Sequence, residues 1–354
     1  MTRAKPGTIA LAGLKSGAIT GQAMKLGLPV HIVASHKADP RLLFRLISVI
    51  RQGGYNLLDS QNIQSKFWAN LAALLTGTAL VSTLNSWYAN EHGKASTKGK
   101  IYTSLELLSN QSLDLYITVS EKDRQSLLKA GLPEESVELI HNAVDVSLSA
   151  IPSDPQWIRQ KFDLPQGALI CTAVGRLVPV KGYDVLIKAF QTIAGQVPNL
   201  FCLIVGEGEC KEELAAQIHE AGLEQRVRLL GYYDRQETLS IIKSTDLFVM
   251  PSRYEGTPIA LLEAAALARP ILASATGGIP ELVKHEEQAW LVPPGDPAAL
   301  AQGLLKLASD RDYAQRLGQN AQARVQQDFD LESQGNATWN AYAKALANHT
   351  LREK

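Results

Sequence analysis

Between Asp246 and Pro270 the chain reads DLFVMPSRYEGTPIALLEAAALARP, and the first five of these residues constrain the fold most. Asp246 to Met250 is a short apolar run without helical period, the pattern of a strand buried on both faces in a parallel sheet covered by helices. Ligands of such sheets sit beyond the carboxyl ends of the strands. That end leads here into a turn containing Gly256 and then a helix, for which Thr257 is the expected N-cap, Pro258 the expected first residue and Pro270 the stop. Free N–H groups and the positive dipole end of a helix suit an anion, and a glycine lets a ligand approach the backbone. Glu263 falls about 9 Å along the helix from Thr257 at 1.5 Å per residue, so it and Glu255 can accept hydroxyl groups from different parts of one ligand. The residues alone fit equally well a solvated turn at Glu255 and a helix-surface charge at Glu263.

Similar strand-like runs alternate with helical ones from the start: TIALAGL, PVHIVAS, YNLLDS, ALVSTL, LDLYITVS and VELIHN. This alternation predicts an α/β fold with parallel sheets and right-handed crossovers. A chain of 354 residues suffices for two such domains, and DVSLSAIPSDPQ (Asp145 to Gln156), rich in Ser and Pro and without period, reads as the linker between them. The expected division is 1–148, 149–335 and a helical tail at 336–354.

Lys plus Arg equal Asp plus Glu at 35 each, so no global charge argues for a nucleic-acid partner. Cys171, Cys202 and Cys210 are odd in number and lack metal-ligand spacing, and the first two lie in apolar runs; they read as reduced thiols of a cytosolic protein. MTRAKPGTIALAGLKSG is too weakly apolar and too rich in glycine for a signal peptide, and no run approaches the roughly 18 apolar residues of a membrane span. The expected location is cytoplasmic. Peripheral contact with the inner face of a membrane fits Arg41 and Arg45, which share a face of the helical segment Pro40 to Gln52 and can meet anionic headgroups. Solvated arginines on an ordinary crossover helix fit the same residues.

In the second half, ALICTAVG is a strand that runs into GRLVPVKGYDVLIKAF. Arg176 and Lys181, beside Gly175 and Gly182, form a suitable pair for two phosphates, one a fork and one a mobile ammonium. Cations that cap carbonyls or pair with surface carboxylates would look the same. LFCLIVGEGEC ends a further strand in Gly206-Glu207-Gly208, but Lys211 stands where a dinucleotide fingerprint needs its third glycine. In VRLLGYYDRQETL, Asp234 is the expected cap of the next helix, with Glu237 three residues on. No Asp-x-Asp pair follows a strand near these segments, so no divalent metal is expected. The loop NSWYANEHGKASTKGK carries Lys94, Lys98 and Lys100 at a strand's carboxyl end, where either a substrate or plain solvent would suit them.

EGTPIALLE, two glutamates after a PS turn and before A-x-x-x-A-x-P-I, resembles the signature of the retaining GT-B glycosyltransferases of the large nucleotide-sugar-dependent family (glycosyl transferases group 1, family 4). G-R-L-x-x-x-K-G at Gly175 to Gly182, PILASATGGIPELV, AWLVPPGD, VELIHNAVD and Ser120-Glu121 are similar to further pieces of that family. The resemblance spans about residues 8–345. It implies two facing, doubly wound Rossmann-like domains, a donor site in the second, and a last helix that crosses back to the first. The implied reaction moves a sugar from a nucleotide diphosphate sugar to an acceptor hydroxyl with retention, without a cofactor beyond that substrate and without metal. Glu255 would lie beside the donor sugar and Glu263 would hold the ribose. Arg176 and Lys181 would take the pyrophosphate, with the backbone at Gly256, Thr257 and Pro258, while the turn at Glu207 would lie close to the nucleotide and the backbone around Leu230 and Gly231 would meet the nucleobase.

Asn85 stands where the family has an acceptor-side histidine. The implied partners are a nucleotide-sugar donor and a glycan or lipid-linked acceptor, in polysaccharide, lipopolysaccharide or glycolipid assembly. A sugar-nucleotide epimerase or a nucleotide-sugar-binding module without transfer shares the same motifs. TIALAGLKSGAITGQAMKLGLPVHIVAS fits the family's second strand, a short helix ending near Leu26 and Gly27, and third strand; a compressed glycine-rich loop at Gly13 to Gly21 is the other arrangement. On the first arrangement the sheet lacks an interior strand, and the N-terminal domain is expected to be the less stable half.

Overall fold

The computed structural model describes residues 9–13, 17–34, 39, 41–85, 113–151 and 154–352. The loop lysines Lys94, Lys98 and Lys100 lie outside the described residues. Two compact units form, one from Met1–Ile140 with Gly335–Lys354 and one from His141–Gln334. The chain changes unit at Ile140, ahead of the serine- and proline-rich segment. Val144, just ahead of that segment, and Leu148 within it are buried in the core of the second unit, and Val144 bridges to Asp330.

In the first unit all six expected strands form: β1 (Leu11–Gly13), β2 (Val30–Ile32), β3 (Leu57–Ser60), β4 (Ala79–Leu84), β5 (Leu115–Thr118) and β6 (Val137–Leu139). They make a parallel sheet of order β3-β4-β5-β6 and a separate parallel pair β1-β2. The helix between β1 and β2, Ala18–Lys25, ends at Leu26, and Gly27 takes a left-handed φ of 74°. Among the described residues no ladder joins β1 to β3, so each carries an unpaired edge. The helix Arg41–Gly53 buries Leu42, Leu46 and Ile50, one residue per turn. Its Arg41 pairs with Asp39 at 3.0 Å while staying 69% exposed, and Arg45 Nη1 donates to the Val33 carbonyl at 3.4 Å. Within the last helix, Leu331–Arg352, Ala341 and Ala345 pack on Val81, Leu115 and Ile117, and the Tyr342 hydroxyl donates to Asp59 at 2.7 Å.

The second unit holds a six-stranded parallel sheet of order β12-β11-β10-β7-β8-β9. Its strands are β7 (Leu169–Val174), β8 (Leu200–Val205), β9 (Val227–Gly231), β10 (Leu247–Met250), β11 (Ile271–Ser274) and β12 (Trp290–Val292). From β7 the chain winds outward through β8 and β9, then returns to lay β10 against the other edge of β7 and winds outward again. The strand order therefore reverses between β7 and β10, which makes their carboxyl ends the topological switch point of a doubly wound sheet. β8, β10 and β11 are buried throughout, as their unbroken apolar runs require. Cys171 and Cys202 face each other in register across β7 and β8, and all three cysteines are buried free thiols.

The helix after β10 differs from expectation at both ends. It spans Ile259–Ala266 with Pro258, not Thr257, as N-cap, because Pro258 is extended at ψ 114° and its carbonyl accepts the first helical bonds from Leu261 and Leu262. It also stops before Pro270. Ala268 turns left-handed at φ 54°, and the Ala268 and Arg269 amides close on the carbonyls of Ala265 and Ala264. Two outcomes are expected. Ala268→Gly removes the crowding of a Cβ in that conformation, worth roughly 1–2 kcal/mol, against a smaller entropic loss of about 0.4–1 kcal/mol, so thermal unfolding should move slightly upward and not downward. Hydrogen exchange in β1 and β2, three-residue strands with partly exposed side chains, should be at least about ten-fold faster than in β7 and β8; equal protection would contradict a weaker first unit.

Candidate donor site

The site grows out of the switch point. Beyond β7 come Gly175 and Arg176, then the turn Pro179–Lys181 and the helix Tyr183–Ile193. Beyond β10 come Pro251 to Pro258, of which only Arg253 is exposed. The two segments touch at Gly182, the turn after β11 meets the second of them at Gly277, and glycine is required at both contacts. A Cβ on Gly182 would fall 2.1 Å from the Pro251 carbonyl oxygen, and one on Gly277 would fall 1.6 Å from that of Glu255. Both glycines have left-handed φ, 68° and 57°.

Arg253 fastens the segments together. Its amide donates to the Val180 carbonyl at 2.7 Å, Nη1 donates to Pro179 O at 2.7 Å, and the guanidinium grips Asp184 with both carboxylate oxygens at 2.7 Å. From the other side Gly278 N donates to the Glu255 and Gly256 carbonyls at 3.1 Å, Thr276 Oγ1 donates to Arg253 O, and Asn142 Nδ2 donates to Thr257 O at 2.9 Å.

Held in this way, Glu255 is only 8% exposed and Glu263 7%, so neither is a solvated surface charge. Buried carboxylates need partners. Lys181 Nζ donates to Glu255 Oε1 at 2.7 Å, and Ser252 Oγ donates to the same oxygen at 2.6 Å. Arg235 Nε donates to Glu263 Oε1 at 3.0 Å. Burial pushes the Glu263 carboxyl above the usual glutamate range, with the charge and hydrogen bond of Arg235 pulling it back. The Tyr183 hydroxyl lies against Gly175, and burial, reinforced by the negative charge of Glu255, holds the phenol well above its ordinary range.

The carboxyl ends of β8 and β9 complete the rim. Leu177 N donates to Glu207 O at 2.9 Å and Gly206 N to Gly231 O at 2.8 Å, which draws the turns after β7, β8 and β9 together. Glu207 is exposed and pairs with Lys211 at 3.2 Å; Leu230 is half-buried beside it. Arg176, Lys181, Glu207, Leu230, Glu255, Gly256, Thr257, Pro258 and Glu263 thus gather at one end of one sheet. Pro258 has no N–H, so with it as N-cap the amides that head the helix are those of Ile259 and Ala260. Asn85 lies in the other unit, at the carboxyl end of β4, donating to the Gln61 carbonyl at 3.2 Å. Among the described residues no group of three His, Cys, Asp or Glu side chains is placed to hold a metal ion, and no helix is long and apolar enough to cross a membrane.

Arg235, Ser252, Arg253 and Tyr183 escaped the sequence reading. Arg253 stood within the motif itself, between the PS turn and Glu255. Arg235 had no signal of its own, since an arginine in the first turn of a helix reads as solvated.

The family model for glycosyl transferases group 1 matches residues 155–324, and that for glycosyltransferase family 4 matches residues 24–148. A solved structure of HepE from Anabaena in complex with UDP-glucose has the same fold, with a TM-score of 0.83 over 94% of this chain and 91% of that one at 24% identity. The fold is thus that of the GT-B glycosyltransferases, and the two glycosyltransferase family models match successive parts of the chain. Among curated relatives, the amylovoran biosynthesis glycosyltransferase AmsK of Erwinia amylovora is 29% identical over 61% of this chain and 53% of its own length. The Escherichia coli UDP-Gal:alpha-D-GlcNAc-diphosphoundecaprenol alpha-1,3-galactosyltransferase is 24% identical over 88% and 81%. The chain spans between about half and four-fifths of the length of such relatives.

If the Arg253 clamp serves the site more than the fold, Arg253→Ala should lower kcat/KM at least about five-fold while lowering the melting temperature by no more than the roughly 2–4 °C that matches 1 kcal/mol in a domain of this size. Steady-state kinetics beside calorimetry of the same variant would check it.

Proposed function

We propose that the chain transfers a hexosyl group from a nucleotide diphosphate sugar to a hydroxyl of a glycan or lipid-linked acceptor, with retention at the anomeric carbon, in polysaccharide, lipopolysaccharide or glycolipid assembly. The observation that carries this reading is the pair of buried carboxylates, Glu255 and Glu263, with Arg176 and Lys181 around the switch point of the second unit. Such a set suits a ligand with two phosphates between two hydroxyl-bearing rings. UDP-glucose in the HepE structure and the UDP-galactose in the name of the Escherichia coli relative support that class of donor, and the diphosphoundecaprenol in the latter name supports a lipid-linked acceptor.

On this reading Arg176 and Lys181 neutralise the diphosphate as its bond to the sugar breaks, at positions set before the substrate arrives. The ion pair with Glu255 does not remove Lys181 from that role, because an ammonium has three N–H donors and Glu255 occupies one. Glu255, tied to Lys181 and Ser252, orients the sugar. Glu263 accepts the ribose hydroxyls, Glu207 and Leu230 border the base, and the backbone from Gly256 through Thr257 to the amides after Pro258 completes the anion site. Asn85 belongs to the acceptor side. Neither cofactor nor metal enters the reaction. A cytoplasmic location with peripheral contact at the inner membrane face fits a lipid-linked acceptor, and Phe44, exposed beside Arg45, supports it. No observation favours the epimerase or non-transferring reading.

Release of free nucleoside diphosphate from a panel of nucleotide sugars should require an acceptor. Arg176→Ala and Lys181→Ala should each reduce kcat/KM at least about ten-fold, since charge-assisted hydrogen bonds contribute roughly 1.5–3 kcal/mol. Glu263→Ala should act mainly on donor KM and Glu255→Ala mainly on kcat. Identical kinetic profiles for the two glutamate variants would overturn the division of roles.

A further inference from the structure

Glu263 lies within the helix Ile259–Ala266 among Leu261, Leu262 and Ala264 to Ala266, all buried. A carboxylate taken this far from water accepts hydroxyl groups well only while it is ionised, and burial opposes ionisation. One cation counters the burial. Arg235 is the first residue of the helix Arg235–Ser244, behind the N-cap Asp234, and its side chain is 60% exposed, so the guanidinium reaches Glu263 from the solvent side. It occupies Oε1. The other oxygen, Oε2, accepts no hydrogen bond from the described residues, although Glu263 sits on the rim where the donor is proposed to bind.

The surroundings hold little else that could do this work. Asp145, whose carboxylate chiefly accepts from Ser147, also feels the charge of Arg235; it caps the short 3-10 turn Val146–Ala150, whose Leu148 packs in the same core as the Glu263 helix. The helix Arg311–Asp328, packed on the same helix, presents the neutral Gln322 to the Ala266 carbonyl. Arg235 is the charged group that pairs with Glu263, at 3.0 Å.

We propose that Arg235 is a positioning residue for the ribose diol of the donor: it fixes one oxygen of Glu263, sets a positive charge against the carboxylate, and leaves the second oxygen to accept both ribose hydroxyls. The inference rests on the reading of Glu263 as the ribose acceptor. Arg235 touches that glutamate and not the reacting atoms, so its loss acts on donor affinity more than on turnover. Its signature lies in pH. Without Arg235, burial acts on Glu263 unopposed and the carboxyl takes up its proton at higher pH; affinity then falls as pH falls through that range and returns as pH rises.

The test is isothermal titration of the full chain with UDP, GDP and ADP from about pH 6 to about pH 8, in which a loss of affinity toward acid pH reports proton uptake by the carboxylate. Wild type, Arg235→Gln, Arg235→Lys and Glu263→Gln are compared. Dividing each affinity by that of wild type at the same pH cancels the titration of the nucleotide's own phosphates. The relative affinity of Arg235→Gln should be at least about five-fold lower at the acid end than at the alkaline end, while Arg235→Lys, which keeps the charge, should stay level with wild type. A pH profile of Arg235→Gln parallel to wild type would overturn the inference alone, provided Glu263→Gln binds more weakly. If Glu263→Gln binds as tightly as wild type, or if no nucleotide binds wild type, the ribose reading fails and the inference falls with it.

Discussion

The hydrogen-bonded contact between β7 and β10 is the constraint on which the geometry of the candidate site depends. Parallel strands deliver their following loops to the same edge of a sheet, and adjacency sets those loops side by side. Were β10 placed beyond β9, Lys181 and Glu255 would stand several strand widths apart. With β10 against β7, the backbone at Val180 meets the backbone at Arg253, and two residues 74 positions apart in the chain form an ion pair of 2.7 Å.

Proximity of that kind has steric and electrostatic conditions, and particular residues meet each. Gly182 and Gly277 satisfy the first, because a side chain at either position would strike a carbonyl oxygen. Lys181, Ser252 and Arg235 satisfy the second by giving partners to carboxylates that would otherwise be buried alone, at a penalty of several kcal/mol each. The Arg253 clamp is a different case. It is partly exposed, so its ion pair with Asp184 contributes little to stability. Its three side-chain hydrogen bonds and its amide, however, fix the relative position of two loops, and a site that must hold charges in place before substrate binds depends on that position.

The first unit is also built on parallel strands. Its sheet is divided into a pair and a quartet of strands, and its best-defined polar cluster lies at the carboxyl ends of β3 and β4. There Asp59 accepts from Thr83, Gln61 and Tyr342. Burial still pushes the Asp59 carboxyl above its usual range despite these three donors. Through Tyr342 the cluster ties the last helix to the sheet, so residues more than 280 positions apart are joined at the edge where an α/β unit presents its ligand site.

Much of this was legible in the amino-acid order. Each of the six strands expected in the first half forms, because a short apolar run without helical period favours extended chain whether it ends buried, as β5 does, or partly exposed, as β1 and β2 do. The glycines of GRLVPVKG and TGGIPE likewise marked turns correctly by position. Tertiary structure decided the rest. Sequence separates Lys181 from Glu255 and Arg235 from Glu263 by 74 and 28 residues, and only the strand order brings each pair together. The N-cap moved from Thr257 to Pro258 because the loop's bonds to Asn142 and Gly278 hold the chain extended one residue further than capping preference suggests. Chain order fixes what each segment can bury; which buried charges meet depends on the order in which the strands lie side by side.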